Sequence, residues 1–164
     1  TYNHAVRVKD FAREIECYMD YEDDELSDAA LVHDIGKCYI SNFILDKPAV
    51  LTELEREIVN LHSYFGYVIL KNLAVEEKIC RIVLYHHSKD PITIHHVEAY
   101  KGDDMDDVYE KAQMLHSIDS FEALTTDRPF RRGFSVNDAI SIMEEEGNHH
   151  PKVLEYFRNT KDFR

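Results

Sequence analysis

The sequence predicts an all-α domain. Apolar residues recur at intervals of three and four along most of the chain, and no stretch alternates convincingly as a strand does. Gly and Pro fall mainly between the periodic segments. The length of 164 residues suits one compact domain, expected here over 1–164, and a hydrophobic content of 44% suffices for a core. The chain opens at Thr1 inside a helical pattern and without a Met, so it is expected to be a segment cut from something longer.

Residues 2–19 form the first amphipathic segment, with Ala5, Val8, Phe11, Ala12, Ile15 and Met19 on one stripe. His4 lies four before Val8 and shares that face. An acidic linker, 21–25, precedes a helix expected over 26–36, with Asp24 or Ser27 as its cap. That helix carries Val32-His33-Asp34-Ile35-Gly36-Lys37, an imidazole and a carboxylate side by side in apolar surroundings. Residues 38–51 are irregular, and Thr52 with Glu55 has the form of a capping box that starts a helix over 53–60. Beyond it, Ile58, His62, Phe65 and Ile69 continue an inward stripe, and Gly66 permits close approach of another helix.

Ile79, Ile82, Val83, His86 and His87 share one face of a helix over 75–87. Residues 88–106 break the pattern and include the pair His95-His96, expected at the surface. In the helix over 107–124, Asp119 stands among Val108, Ala112, Leu115 and Ala123, where a leucine would be expected. A basic turn, TTDRPFRRGF, leads to helices near 135–146 and 151–160, separated by Gly147. His149-His150-Pro151 is expected to be the turn that starts the last helix.

A net charge of -13 repels nucleic acid polymers and anionic membranes, so neither is an expected partner. No apolar run is long enough to span a bilayer. Cys17, Cys38 and Cys80 are odd in number and dispersed, which argues against a disulfide framework and fits a reducing cytoplasm.

The polar residues on apolar stripes are His4, His33, Asp34, His62, His86, His87 and Asp119. A carboxylate or imidazole entering a core needs a partner, and a metal ion suits both. This set fills most positions of a two-metal site, and its mixed nitrogen and oxygen donors suit iron or manganese, with zinc, cobalt or nickel as alternatives. Two such ions can clamp the attacking and leaving oxygens of a phosphoryl transfer. Lys37, one turn past Asp34, is placed to stabilise charge on a phosphate under attack.

The order His4, His33-Asp34, Asp119 resembles the HD-domain metal-dependent phosphohydrolases. The fuller pattern, VHDIGKCYISNFILDKPAVLTELEREIVNLHSYFG, then YHH, then IDSFEALTTDRPFR, is most similar to the HD-GYP subgroup, which hydrolyses cyclic di-GMP and related cyclic dinucleotides. The resemblance implies that His4, His33, Asp34 and Asp119 hold one divalent metal, and that Asp34 bridges to a second held by His62, His86 and His87. It implies that Lys37 contacts the scissile phosphate and that Arg128, Arg131 and Arg132 bind or position phosphate. It also implies a bacterial signalling protein with an associated sensory or regulatory domain.

Two departures stand out. The subgroup's Gly-Tyr-Pro is absent: residues 88–106 read SKDPITIHHVEAYKGDDMD, keeping only Lys101-Gly102. The second aspartate of its DxxDAL segment is Glu122. The expected activity is therefore cleavage of a cyclic dinucleotide phosphodiester. Hydrolysis of another nucleotide or phosphate ester, or a weakly catalytic binding module, remain as alternatives.

Overall fold

The computed structural model describes residues 2–87, 104–127 and 131–160, and the regular structure among them is helical, with no strand. Helix α1 spans Tyr2–Met19 and α2 spans Glu25–Val32. A 3-10 helix covers Ile35–Tyr39 and a short α3 covers Asn42–Leu45. They are followed by α4 (Glu53–Asn60), α5 (His62–Asn72), α6 (Glu77–Tyr85), α7 (Met105–Thr125), α8 (Val136–Glu146) and α9 (Pro151–Asn159). Among the described residues, no helix is long and apolar enough to cross a membrane.

Helix α7 is the axis of the bundle. Ala112, Met114, Leu115, Ile118 and Phe121 bury side chains around its circumference, so it is packed by α1, α2, α6, α8 and α9. Phe121 lies face to face with Phe157 of α9 at 3.7 Å, and Phe11 of α1 meets both rings edge-on. Helix α6 is likewise enclosed, with Cys80, Ile82, Val83 and Leu84 at 0% exposure. At the far end of α7, the buried Lys111 ammonium is matched by Asp23, Glu25 and Asp107, which fastens the helix to the start of α2. A buried cation persists only with such partners.

Several expected boundaries hold for identifiable reasons. The Thr52–Glu55 capping box is reciprocal: the Glu55 backbone N–H donates to Thr52, and the Thr52 backbone N–H donates to Glu55. Gly147 ends α8 with φ 67, and Pro151 opens α9 at a position whose N–H would have no helical partner.

Two expectations are corrected. The helix expected over 26–36 stops at Val32, and Asp34 sits at φ -91, ψ 0 before the 3-10 helix. Past the break, Gly36 is pressed against α5 so closely that a Cβ there would stand 1.9 Å from the His62 carbonyl oxygen. Neither Asp24 nor Ser27 caps α2 by its side chain; Glu16, reaching from α1, accepts the Ser27 backbone N–H at 2.8 Å. A carboxylate from a neighbouring helix satisfies the orphan donor and complements the helix dipole at once.

Candidate metal centre

His33, His62 and His86 share one local device. Each sits at the end or start of a helical turn and donates Nδ1–H to the carbonyl three residues earlier: Ala30 at 2.7 Å, Val59 at 2.6 Å and Val83 at 2.6 Å. That bond orients the ring and leaves Nε2 as the nitrogen pointing away from the helix. All three Nε2 atoms are buried without a hydrogen-bond partner. An orphaned buried polar atom costs about 1–3 kcal/mol, so three converging ones need a common explanation. A divalent cation would provide one.

Ligand-capable atoms fall into two groups, each within 4.8 Å mutually: His4, His33 and Asp119, and His62, His86 and His87. Asp34 stands between them. Its Oδ1 lies 3.4 Å from His33 Nε2 and 3.5 Å from His62 Nε2, and its Oδ2 is 3.8 Å from His4 Nε2. These separations exceed a good N–H···O bond, yet match donors sharing an ion about 2.1 Å from each. Asp119 Oδ1 lies 3.1 Å from His4 Nε2 and 3.7 Å from His33 Nε2. Thus the carboxylate from the end of α2 joins the two groups, while α7 adds the second carboxylate.

The two groups differ in charge. Burial works against protonation of His4 and His33, but Asp119 and its neighbouring acids outweigh it, raising His33 and lifting His4 to about 9. Burial also opposes ionisation of Asp119 and Asp34; the facing imidazoles, with Lys37 for Asp34, hold both below the usual carboxylate range. In the other group burial dominates: His62 is lowered, His86 well lowered, and His87 pushed to about 3 with His62 and His116 adding repulsion. Three neutral imidazoles suit coordination, since only the deprotonated nitrogen can bind metal.

Lys37, one turn beyond Asp34, donates to Asp34 Oδ2 at 2.6 Å and is about a third exposed. Arg131 turns its guanidinium onto the carbonyls of Ala123, Leu124 and Arg132, closing the end of α7, and lies over Phe134. Arg132 is exposed. Arg128, His95, His96 and Lys101-Gly102 lie outside the described residues.

Two residues near the centre were not expected among its members. Glu122 Oε2 holds His4 Nδ1 at 2.5 Å while its other oxygen takes Arg7 and Thr126, so it orients His4 from behind. Burial raises its pKa, but His4 and Arg7 dominate and depress it to about 2. His116 of α7 packs its ring edge-on to His87 at 5.8 Å. Both lie three residues from Asp119, the spacing that puts them on its face of the helix, and that was the available sequence signal.

Comparison with known proteins agrees with this geometry. The HD domain family matches residues 1–124. A 3'3'-cGAMP-specific phosphodiesterase of Vibrio cholerae is 36% identical over 117 residues, covering 71% of this chain and 25% of that protein. A cyclic di-GMP phosphodiesterase of Pseudomonas aeruginosa is 31% identical over 131 residues, covering 79% of this chain and 31% of that protein. Another from Thermotoga maritima is 29% identical over 137 residues, 81% of this chain and 36% of the relative. The chain therefore spans between a quarter and just over a third of these relatives' length. With a model match over most of its length and donor groups fit for metal, the chain belongs to the HD domain family, whose members are metal-dependent.

Proposed function

We propose that this chain is the hydrolytic domain of a metal-dependent phosphodiesterase acting on a cyclic dinucleotide, cyclic di-GMP or a related molecule. The observation that carries the reading is the convergence of three buried, partnerless imidazole nitrogens on the two sides of Asp34. The relatives named for cleavage of cyclic di-GMP and 3'3'-cGAMP support the choice of substrate.

In this reading His4, His33 and Asp119 hold one divalent ion, His62, His86 and His87 a second, and Asp34 is shared. Iron or manganese is favoured, and zinc, cobalt or nickel are also compatible with the donor set. When bound, such ions supply Lewis acidity toward the phosphoryl oxygens and lower the pKa of an attacking water. The protein's own part is positioning. The Nδ1–carbonyl bonds of His33, His62 and His86 lock the rings, and Glu122 with Arg7 locks His4. With Asp34 committed to cations, the Lys37 ammonium becomes available to a phosphate oxygen. Arg131 is already spent on the α7 carbonyls, so Lys37, Arg132 and Arg128 are the phosphate-binding side chains in this reading.

We further infer a cytoplasmic setting beside a sensory or regulatory domain. Three free cysteines support it, as does the small share of each relative that the chain spans. The test is hydrolysis of cyclic di-GMP and 3'3'-cGAMP after reconstitution with Fe(II) or Mn(II), with products resolved by chromatography. Linear dinucleotide or mononucleotide is expected from the wild type and none from Asp34→Ala. Turnover that survives in Asp34→Ala, or a metal-loaded wild type that cleaves no cyclic dinucleotide, would overturn the reading.

A further inference from the structure

Against the group of His62, His86 and His87 lies a cavity of about 200 Å³ whose wall includes His86 and His87 themselves. The cavity is smaller than the 300–1,000 Å³ typical of sites that enclose a whole drug-sized ligand, so it suits a single ring system.

Its lining has a particular chemistry. Tyr85 and Tyr109 contribute an aromatic wall, their rings 4.8 Å apart. Gln113 and Asn148 contribute side-chain amides, each with a donor and an acceptor. The Gln113 amide makes no hydrogen bond among the described residues. His116 completes the set, and its ring is stacked on His149 at 5.0 Å and 6°, with His149 itself held by Glu146 at 2.7 Å. Asn148 Nδ2 donates toward His116 Nε2 at 3.5 Å, which leaves Nδ1 as the protonated nitrogen, buried and without an acceptor. No Lys, Arg, Asp or Glu lines the cavity among the described residues. The aromatic wall and the two amides favour a planar group with donors and acceptors on its edge.

We propose that this cavity seats one purine base of the cyclic dinucleotide, with Tyr85 and Tyr109 as the contact surface and Gln113 and Asn148 reading its edge. The proposal rests on the functional reading above and adds where base preference is decided. Aromatic faces accept a base of any sequence, whereas an amide pairs with a purine edge in a bidentate manner and discriminates. Base choice would then be set by α7 and by the turn between α8 and α9.

The experiment compares kcat and KM for cyclic di-GMP and cyclic di-UMP, using metal-reconstituted wild type, Gln113→Leu and Asn148→Ala. Asn148 is exposed on a turn, so its variant guards against misfolding of the other. The wild type is expected to prefer the purine substrate, and each variant to shrink the purine-to-pyrimidine ratio of kcat/KM roughly tenfold, chiefly through KM. A wild type that cleaves both equally, or variants whose ratio stays within about twofold of wild type, overturns the base pocket and leaves the phosphodiesterase reading standing. A wild type that cleaves neither overturns both.

Discussion

In the group built from His4, His33 and Asp119, every imidazole stands beside a carboxylate. In the group built from His62, His86 and His87, the imidazoles face one another, with Asp34 beside His62 and the Asp119 charge acting on His87. The first therefore neutralises itself by proton sharing, with His4 lifted to about 9 against depressed carboxylates. The second keeps its imidazoles neutral by burial, His87 down to about 3. The same residue type thus sits in two opposite electrostatic states about one carboxylate. The first group must give up protons when it takes a cation, whereas the second is already in its coordinating form.

The largest effect is expected at the residue common to both groups. Asp34→Ala should lower kcat by about a thousandfold or more and reduce bound metal by elemental analysis, because it removes the carboxylate that stands between the two groups. His86→Ala should act on one group alone. Metal content is expected to fall toward one ion per chain while His4, His33 and Asp119 retain theirs; loss of both ions would show the groups to be inseparable. Glu122→Gln keeps an acceptor for His4 but deletes the charge, and should weaken metal affinity in the first group about 10–100-fold in a chelator competition.

Gly36 governs how the groups are spaced. Gly36→Ala would force the 3-10 helix away from the His62 carbonyl and separate Asp34 from His62. The expected cost is about 2–4 kcal/mol, read as a drop of several degrees in thermal midpoint. An unchanged midpoint would contradict the close packing described.

The smallest effects are in pH dependence of the metal-free protein. His87 has a folded pKa near 3 against 6.5, so as pH falls below 6.5 the unfolded chain takes up a proton that the folded chain refuses, and stability declines toward pH 3. His4, raised to about 9, works the other way: its contribution is complete below 6.5 and is lost as pH climbs through 9. His87→Ala should flatten the acid limb and His4→Ala the alkaline limb of a melting-temperature profile. A swap of those limbs would refute the assignment of charge states.

Much of the fold and centre was legible from local pattern. The stripe carrying His4, the His33-Asp34 pair, His62, His86-His87 and the misplaced Asp119 are all features of helical period, which depends on residues three and four apart. The Thr52–Glu55 box and the Gly147 stop are equally local. What the pattern could not contain were contacts between distant residues. Glu16 as cap of α2 spans 11 residues, and Glu122 behind His4 spans 118. The basic turn read as phosphate-binding contains Arg131, whose guanidinium serves carbonyls that are exposed only because α7 ends there.

Sequence alone therefore determined the helical class, the set of candidate ligand residues and the resemblance to a metal-dependent family, since each is encoded in spacing along the helices. Tertiary structure alone decided that residue 36 must be glycine, because the docked α5 backbone leaves no room for a Cβ there. It also decided which imidazoles are charged and which are neutral, because protonation follows burial and the company each ring keeps.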